Sequence, residues 1–284
     1  MELKKNRTAS FIIVALIYVL ASAVGIITYF LLPFGLWLNL LIADVVATVF
    51  TFIFSLIFKN ASVYDPYWSV QPIVIVLAFA FGNSLTPITA CLIFAICFWG
   101  IRLTANWAYT FKSLEHQDWR YTMLCEKCKG FYPIINFVGI HLVPTLVVYG
   151  CTLPACILIT TAHSASVWSY FAVALSVCAA VLQLVSDIQM QSFRKNRTST
   201  FIRTGLWKYS RHPNYLGEIL MWWGVGLCVV SCLPSCWYLL AGALSNTALF
   251  LCVSIPMADG RNGKKEGWEE YKKHTFALLP IYHK

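Results

Sequence analysis

The sequence predicts an all-α protein: a polytopic transmembrane helical bundle of about seven or eight spans. Three observations carry this. Of 284 residues, 59% are hydrophobic and 12% charged, far from the roughly 45–50% apolar and about 25% charged of soluble domains. Several apolar runs reach the ~20 residues needed to cross a bilayer. Of the 21 Lys and Arg, all but Arg102 lie outside those runs rather than within them.

Apolar runs fall at about 11–32, 36–58, 69–81, 87–111, 133–151, 164–192, 214–233 and 235–256. The first follows Lys4, Lys5 and Arg7 and is too long for a signal-peptide core, so it reads as a retained span. Pro33 and Gly35 break the link to the second. The third run is only about 13 residues, which suits a short, tilted or re-entrant segment. If all eight runs cross, the N-terminus, the 112–132 loop, the 193–212 loop and the C-terminus share one face. Those four segments hold every Lys and Arg except Lys59 and Arg102. The positive-inside rule then places all four, both termini included, in the cytosol. A seven-span version with one run in the interface stays open.

No polar stretch is long enough for a soluble domain, and no repeat or linker is evident, so residues 1–284 read as one membrane domain. Most of the eleven cysteines lie in apolar runs and act as small hydrophobes. Cys125 and Cys128 form a lone CxxC, and no second ligand pair is near in sequence, so no metal is expected. The net charge of +9 reads as orientation plus affinity for anionic headgroups or a cofactor, not nucleic acid.

Residues 193–218, FRKNRTSTFIRTGLWKYSRHPNYLGE, organise the rest. They hold Arg194, Lys195, Arg197, Arg203, Lys208 and Arg211, with no acid until Glu218. Cytoplasmic sidedness accounts for basic residues in number. It does not account for His212, Pro213, Asn214, Tyr215 and Glu218 crowded at a helix entry. Asn214 is a plausible N-cap, leaving amides and a helix dipole that favour phosphate. Trp207 and Tyr215 offer flat faces for a ring. Upstream, Gln183, Asp187, Gln191 and Arg194 fall at i, i+4, i+8 and i+11, one stripe of a helix. A polar stripe in a span faces protein or a wet cavity, which admits helix–helix hydrogen bonding as well as a site. Asp44 and Arg102 are further ionisable groups inside spans, each read equally well as a structural pair or a site. Together these point to an anionic, ring-bearing ligand.

SRHPNYLGE, preceded by GLWKY and followed by EEYKKHTFALLP, resembles the C-terminal signature of the steroid 5-alpha-reductase and sterol-reductase superfamily. YDPYWSV, WGIRL, QDWRY and SDIQMQSFR resemble its steroid-reductase-like membrane branch, so the likeness spans residues 62–282 in order. Residues 1–62 then form an N-terminal helical hairpin, and 62–284 a reductase-like core with a cofactor pocket in 183–284. The resemblance implies NADPH-dependent reduction of an activated C=C bond in a steroid or other enone lipid. It implies residence in the endoplasmic reticulum if the source is eukaryotic, or the inner membrane if bacterial. It assigns the cofactor to Arg102, Gln183, Asp187, Arg194, Arg203, Tyr209, Arg211, His212, Asn214, Tyr215 and Glu218.

Such a reaction builds enolate charge on the substrate carbonyl, which calls for an acid. The family's Glu position falls near Asp65, with Tyr64 and Tyr67 beside it; its Tyr position falls at or near Trp99, which has no phenolic proton. Asp65 with Tyr64 or Tyr67 is therefore the expected substitute, the alternative being an aromatic interface belt. The segment ADGRNGKKEGWEEY departs from the family pattern and leaves Asp259 and Arg261 unassigned. Two other functions compete. Isoprenylcysteine carboxyl methyltransferases share the RHP-type signature but use S-adenosylmethionine, and a non-catalytic lipid or sterol binder could keep the fold.

Overall fold

Seven helices in this computed structural model, which describes residues 2–280, are long and apolar enough to cross a membrane. In chain order the elements are α1 (Arg7–Leu31), α2 (Leu36–Phe58), α3 (Tyr67–Phe81), α4 (Pro87–Thr110), α5 (Trp119–Thr160), α6 (Val167–Lys195), α7 (Pro213–Cys232), α8 (Pro234–Asn262) and α9 (Trp268–His274). The all-α expectation holds. The short third run becomes α3, whose 15 residues span about 22 Å at 1.5 Å per residue, less than the ~30 Å of hydrocarbon.

Local chemistry sets the helix ends. Asn6 caps α1, its Oδ1 accepting from Ala9 N at 3.0 Å. Asn39 ties the α1–α2 link: its Oδ1 accepts from Phe34 N, and its Nδ2 donates to the Tyr29 and Leu32 carbonyls. Lys59 closes α2 in the left-handed conformation, its N–H returning to the last turn. At α7 the expectation is corrected. Pro213 opens the helix and His212 sits at the cap position, so Asn214 lies inside the first turn. Proline locks φ at a helical value and lacks the N–H that the first turn leaves unpaired, so it takes that place.

The chain divides into two compact units. One comprises residues up to Gly82 with Leu103–Leu153; the other comprises Asn83–Arg102 with everything from Pro154 onward. One boundary falls in the link between α3 and α4, and the other two fall inside α4 and α5. The N-terminal hairpin thus shares its unit with α3 and with parts of α4 and α5.

In the first unit, Ile17 and Tyr18 of α1 pack with Val63, Tyr64, Tyr67 and Leu114. Tyr18 donates to the Val63 carbonyl at 2.9 Å. Within α5, residues Asn136–Leu142 form a π-helical segment, a widened turn that recurs at functional positions.

In the second unit, α6 and α7 approach through small residues. A Cβ on Gly217 would stand 2.7 Å from the Ala179 carbonyl oxygen, and one on Gly224 would stand 2.7 Å from that of Ala172. Ser176 adds a hydrogen bond to the Met221 carbonyl at 2.9 Å. Only glycine permits this spacing. The loop after α6 turns at Gly205, with φ +61°, and Gln189 Oε1 accepts from Leu206 N there at 2.9 Å. Beyond α9 the chain runs beside the loop: Arg211 N donates to Phe276 O and His212 N to Ala277 O, at 2.9 and 3.0 Å.

Candidate functional site

The second unit holds the residues expected to bind a cofactor, in three groups. The first is buried in the spans. Arg102 on α4 is 7% exposed. Its Nη1 donates to Asp187 Oδ2 at 2.7 Å, and its Nη2 donates to Gln183 Oε1. Gln183 and Asp187 are one helical turn apart, so a single guanidinium fork reaches both. Glu218 lies one turn into α7 and is also buried. Its two oxygens accept from Trp99 Nε1 at 2.8 Å and Trp222 Nε1 at 2.9 Å, and it bears electrostatically on Arg102. A buried carboxylate without partners would be costly. The two indoles supply them, which gives Trp99 a role although it lacks a phenol. Arg102 Nε remains unpartnered.

The second group lies at the entry to α7. Arg211 Nη2 donates to Asp259 Oδ2 at 3.1 Å, and His212 Nε2 lies 2.8 Å from Asp259 Oδ1. Arg211 also donates to the Thr275 carbonyl. Asp259 is thus the counter-charge for the RHP arginine and histidine, a role its own segment did not signal. Tyr215 stacks on His212, with centroids 5.0 Å apart and planes at 8°, and leans on Phe250. Trp207 is buried, its Nε1 donating to the Ser186 carbonyl at 3.2 Å. The flat faces expected to receive a ligand ring are therefore engaged internally. Buried Arg211 Nε and Asn214 Oδ1 have no partner.

The third group is the exposed basic set. Arg203 lies over the Phe201 ring, and Tyr209 lies under Lys208. Arg197 donates to the carbonyls of Ser199 and Thr200. Thr200 Oγ1 bonds the Glu266 carbonyl at 3.3 Å, which holds this loop against the one after α8. Lys265, half-buried there, is pushed below its ordinary value, first by burial and then by the positive fields of Arg261, Arg197 and Arg194. Among the described residues, no salt bridge joins Arg194, Arg197 or Lys265 to a carboxylate. On α6, Gln183 and Asp187 of the expected stripe meet Arg102, while Arg194 is exposed beyond them. Gln189, off the stripe, is the residue that grips the loop.

The first unit holds the expected acid residues, and their polar ends diverge. Tyr64 Oη lies 2.8 Å from Thr145 Oγ1. Tyr67 Oη donates to Asp44 Oδ1 at 2.8 Å, and Gln71 Nε2 donates to Asp44 Oδ2 at 2.7 Å. Asp65 instead accepts from Tyr121 Oη at 2.7 Å. Burial pushes the Asp65 carboxyl up to about 6, against the lowering influence of Arg120 and of hydrogen bonds from Tyr121 and Ser62. Asp44, which had no visible partner in sequence, is the carboxylate that Tyr67 meets. It lies 23 positions away on another helix, so spacing gave no signal.

Residues 51–275 match the model of a family described as "Protein of unknown function (DUF1295)". The chain belongs to that family. The matched stretch of DUF1295 includes all three groups of the second unit together with Tyr64, Asp65 and Tyr67, and excludes Asp44. An uncharacterized protein of Schizosaccharomyces pombe is 25% identical over 193 residues. That match takes in 58% of this chain and 56% of the relative, so the chain spans about half the length of the curated relative it matches. No solved structure matches.

Proposed function

We propose that this DUF1295 protein is a membrane-embedded reductase that uses NADPH to reduce an activated C=C bond in a steroid or other enone lipid. The observation that carries the reading is how its basic groups divide. Arg102 and Arg211 are neutralised by Asp187 and Asp259. The charge on Lys265 is disfavoured first by burial and then by the positive fields of Arg261, Arg197 and Arg194. Like charges gathered at one place repel, and a polyanion relieves that cost. A dinucleotide with an additional phosphate has that charge. S-adenosylmethionine, with a sulfonium and one carboxylate, does not.

The remaining groups fit the same ligand. The unpartnered Nε atoms of Arg102 and Arg211 are donors, and they suit carbonyl or phosphate oxygens. In the buried cluster Arg102 is paired with Asp187 and Glu218 is held by two indoles, which suits the neutral amide-bearing ring. Bound NADPH would supply a hydride. Arg194, Arg197 and Lys265 would hold its phosphates, and Asp187 and Gln183 would keep Arg102 oriented. The acid that the resemblance implies, Asp65, is pushed up to about 6 by burial, so part of it stays protonated near neutral pH. Tyr64 shares its hydroxyl hydrogen bond with Thr145, where either oxygen can donate. The hydroxyl of Tyr67 is committed to Asp44.

The test is ligand binding to full-length protein in nanodiscs, followed by turnover. NADPH should bind in the micromolar range, at least tenfold tighter than S-adenosylmethionine. Arg194→Ala combined with Lys265→Ala should weaken NADPH about tenfold or more. NADPH oxidation should then require an enone lipid. Tighter binding of S-adenosylmethionine would replace this reading with the methyltransferase. Absence of binding by either nucleotide would leave a lipid binder without a cofactor.

A further inference from the structure

The link from α6 to α7 carries three hydroxyls in a row, Thr198, Ser199 and Thr200, directly after Arg194, Lys195 and Arg197. Ser199 is half-buried, and its Oγ donates to the Phe201 carbonyl at 2.7 Å. Thr198 and Thr200 are exposed. Thr200 has a cation on each side. Arg197 folds forward along the chain, its Nε donating to the Ser199 carbonyl at 3.3 Å and its Nη2 to the Thr200 carbonyl at 3.2 Å. On the other side, Thr200 Oγ1 donates to the Glu266 main-chain carbonyl at 3.3 Å, one residue beyond Lys265. The positive fields of Arg261, Arg197 and Arg194 all reach Lys265. Among the described residues, no salt bridge joins Arg194, Arg197 or Lys265 to a carboxylate. The hydroxyl of Thr200 thus opens onto cations that lack a counter-charge.

We infer that Thr200 is a phosphorylation site, and that its phosphate docks on Arg197 and the cations around Lys265 and so competes with the dinucleotide for them. The competition rests on the reductase reading above; the modification and the docking do not. The positive-inside rule puts this basic loop in the cytosol, where ATP and kinases are. Arg197 stands three residues before Thr200, with Lys195 and Arg194 beyond it, a charge pattern that suits kinases with an acidic peptide groove. In the transfer, the bond from the γ-phosphorus of ATP to the β–γ bridging oxygen breaks, and a bond from that phosphorus to Thr200 Oγ1 forms. The hydroxyl proton passes to the base of the kinase, and ADP leaves. The product carries nearly two negative charges near neutral pH and three strong acceptor oxygens. A guanidinium receives two of them at once. Loss of the hydroxyl hydrogen also ends the donation to the Glu266 carbonyl, which frees the side chain to turn toward the cations.

The experiment treats full-length protein in nanodiscs with Mg-ATP and calmodulin-dependent kinase II, which selects Arg three residues before its target. Peptide mass spectrometry should place the phosphate on Thr200, and Thr200→Ala should cut incorporation at least fivefold. If that variant does not fold, the mass assignment alone decides the position. A phosphorus NMR titration then reads the docking. Nearby cations favour the dianion, so the second ionisation of the Thr200 phosphate should be at least fivefold stronger than in a free phosphopeptide of residues 194–203. Arg194→Gln combined with Lys265→Gln, which keeps the Arg that the kinase needs, should remove that difference. Phosphorylated protein should bind NADPH at least tenfold more weakly than untreated protein. The titration contains no nucleotide, so failure of untreated protein to bind NADPH would end the reductase reading and leave the docking to the titration. No incorporation, phosphate on Thr198 or Ser199 with Thr200 bare, a peptide-like titration, or undiminished NADPH affinity after phosphorylation would each overturn the inference.

Discussion

Trp99 donates its indole N–H to Glu218 at 2.8 Å, across 119 positions of sequence and from the middle of one span to the start of another. Trp99 is fully buried and meets Trp222 edge-on, with ring centroids 4.8 Å apart. Two indoles thus hold one buried carboxylate in place beside Arg102. Trp99→Phe keeps most of the volume but leaves Glu218 Oε2 without its donor. A lost hydrogen bond to a charged group costs about 1.5–3 kcal/mol, so the melting temperature of the detergent-solubilised protein should fall. Trp222→Phe should cost a similar amount. An unchanged melting temperature in both would show that Glu218 does not depend on these bonds.

Arg102 bridges Asp187 and Gln183 with two separate nitrogens. Removing one partner of a buried ion pair costs about 3–5 kcal/mol, because the other charge is left uncompensated. Asp187→Ala should therefore lose stability by about that amount and also lose nucleotide binding. Arg102→Lys should fail to restore either property, since an ammonium cannot span both acceptors with the same geometry. Wild-type stability in Arg102→Lys would show that the fork is dispensable.

Gly217 is a spacing residue between α6 and α7. Its substitution to Ala would place a Cβ 2.5 Å from Gln183 Cγ. Overpacking of this kind costs about 1–3 kcal/mol, and the strain falls on the side chain that holds Arg102. Gly217→Ala should thus lower both melting temperature and NADPH affinity. Gly35→Ala, where an added Cβ meets nothing within 4 Å, should change neither. Equal effects of the two substitutions would argue against close helix approach at Gly217.

Asp65 gives a pH signature. Its carboxyl is raised in the fold from 3.8 to about 6, so the folded state disfavours its ionised form. Above about pH 6 the residue is ionised in both states, and the folded state bears the full penalty. As pH falls from about 6 toward 3.8, the folded protein takes up the proton first and gains stability from this group. Asp65→Asn should be more stable than wild type at pH 7.5, and the difference should shrink toward pH 4.5. A difference that grows with acid would reverse the assigned shift.

The sequence by itself determined the class of the molecule. Span length and hydropathy are local sums along the chain, so α1, α2 and α4 fall where the apolar runs do. The shortness of α3 was equally visible, because crossing a bilayer is a question of residue count. Spacing on one helix was legible too: Gln183 and Asp187 share a face because i and i+4 always do. Tertiary structure alone decided which charges meet. Asp259 pairs with Arg211 and His212, Asp44 with Tyr67, and Glu218 with Trp99, each across 23 to 119 positions. Such pairs are set by how separate helices pack in three dimensions, and the chain carries no periodicity that records it. The same reason separates Asp65 from the hydroxyl of Tyr67, its neighbour two residues away: adjacent side chains leave the backbone in different directions, and packing supplies each with a different partner.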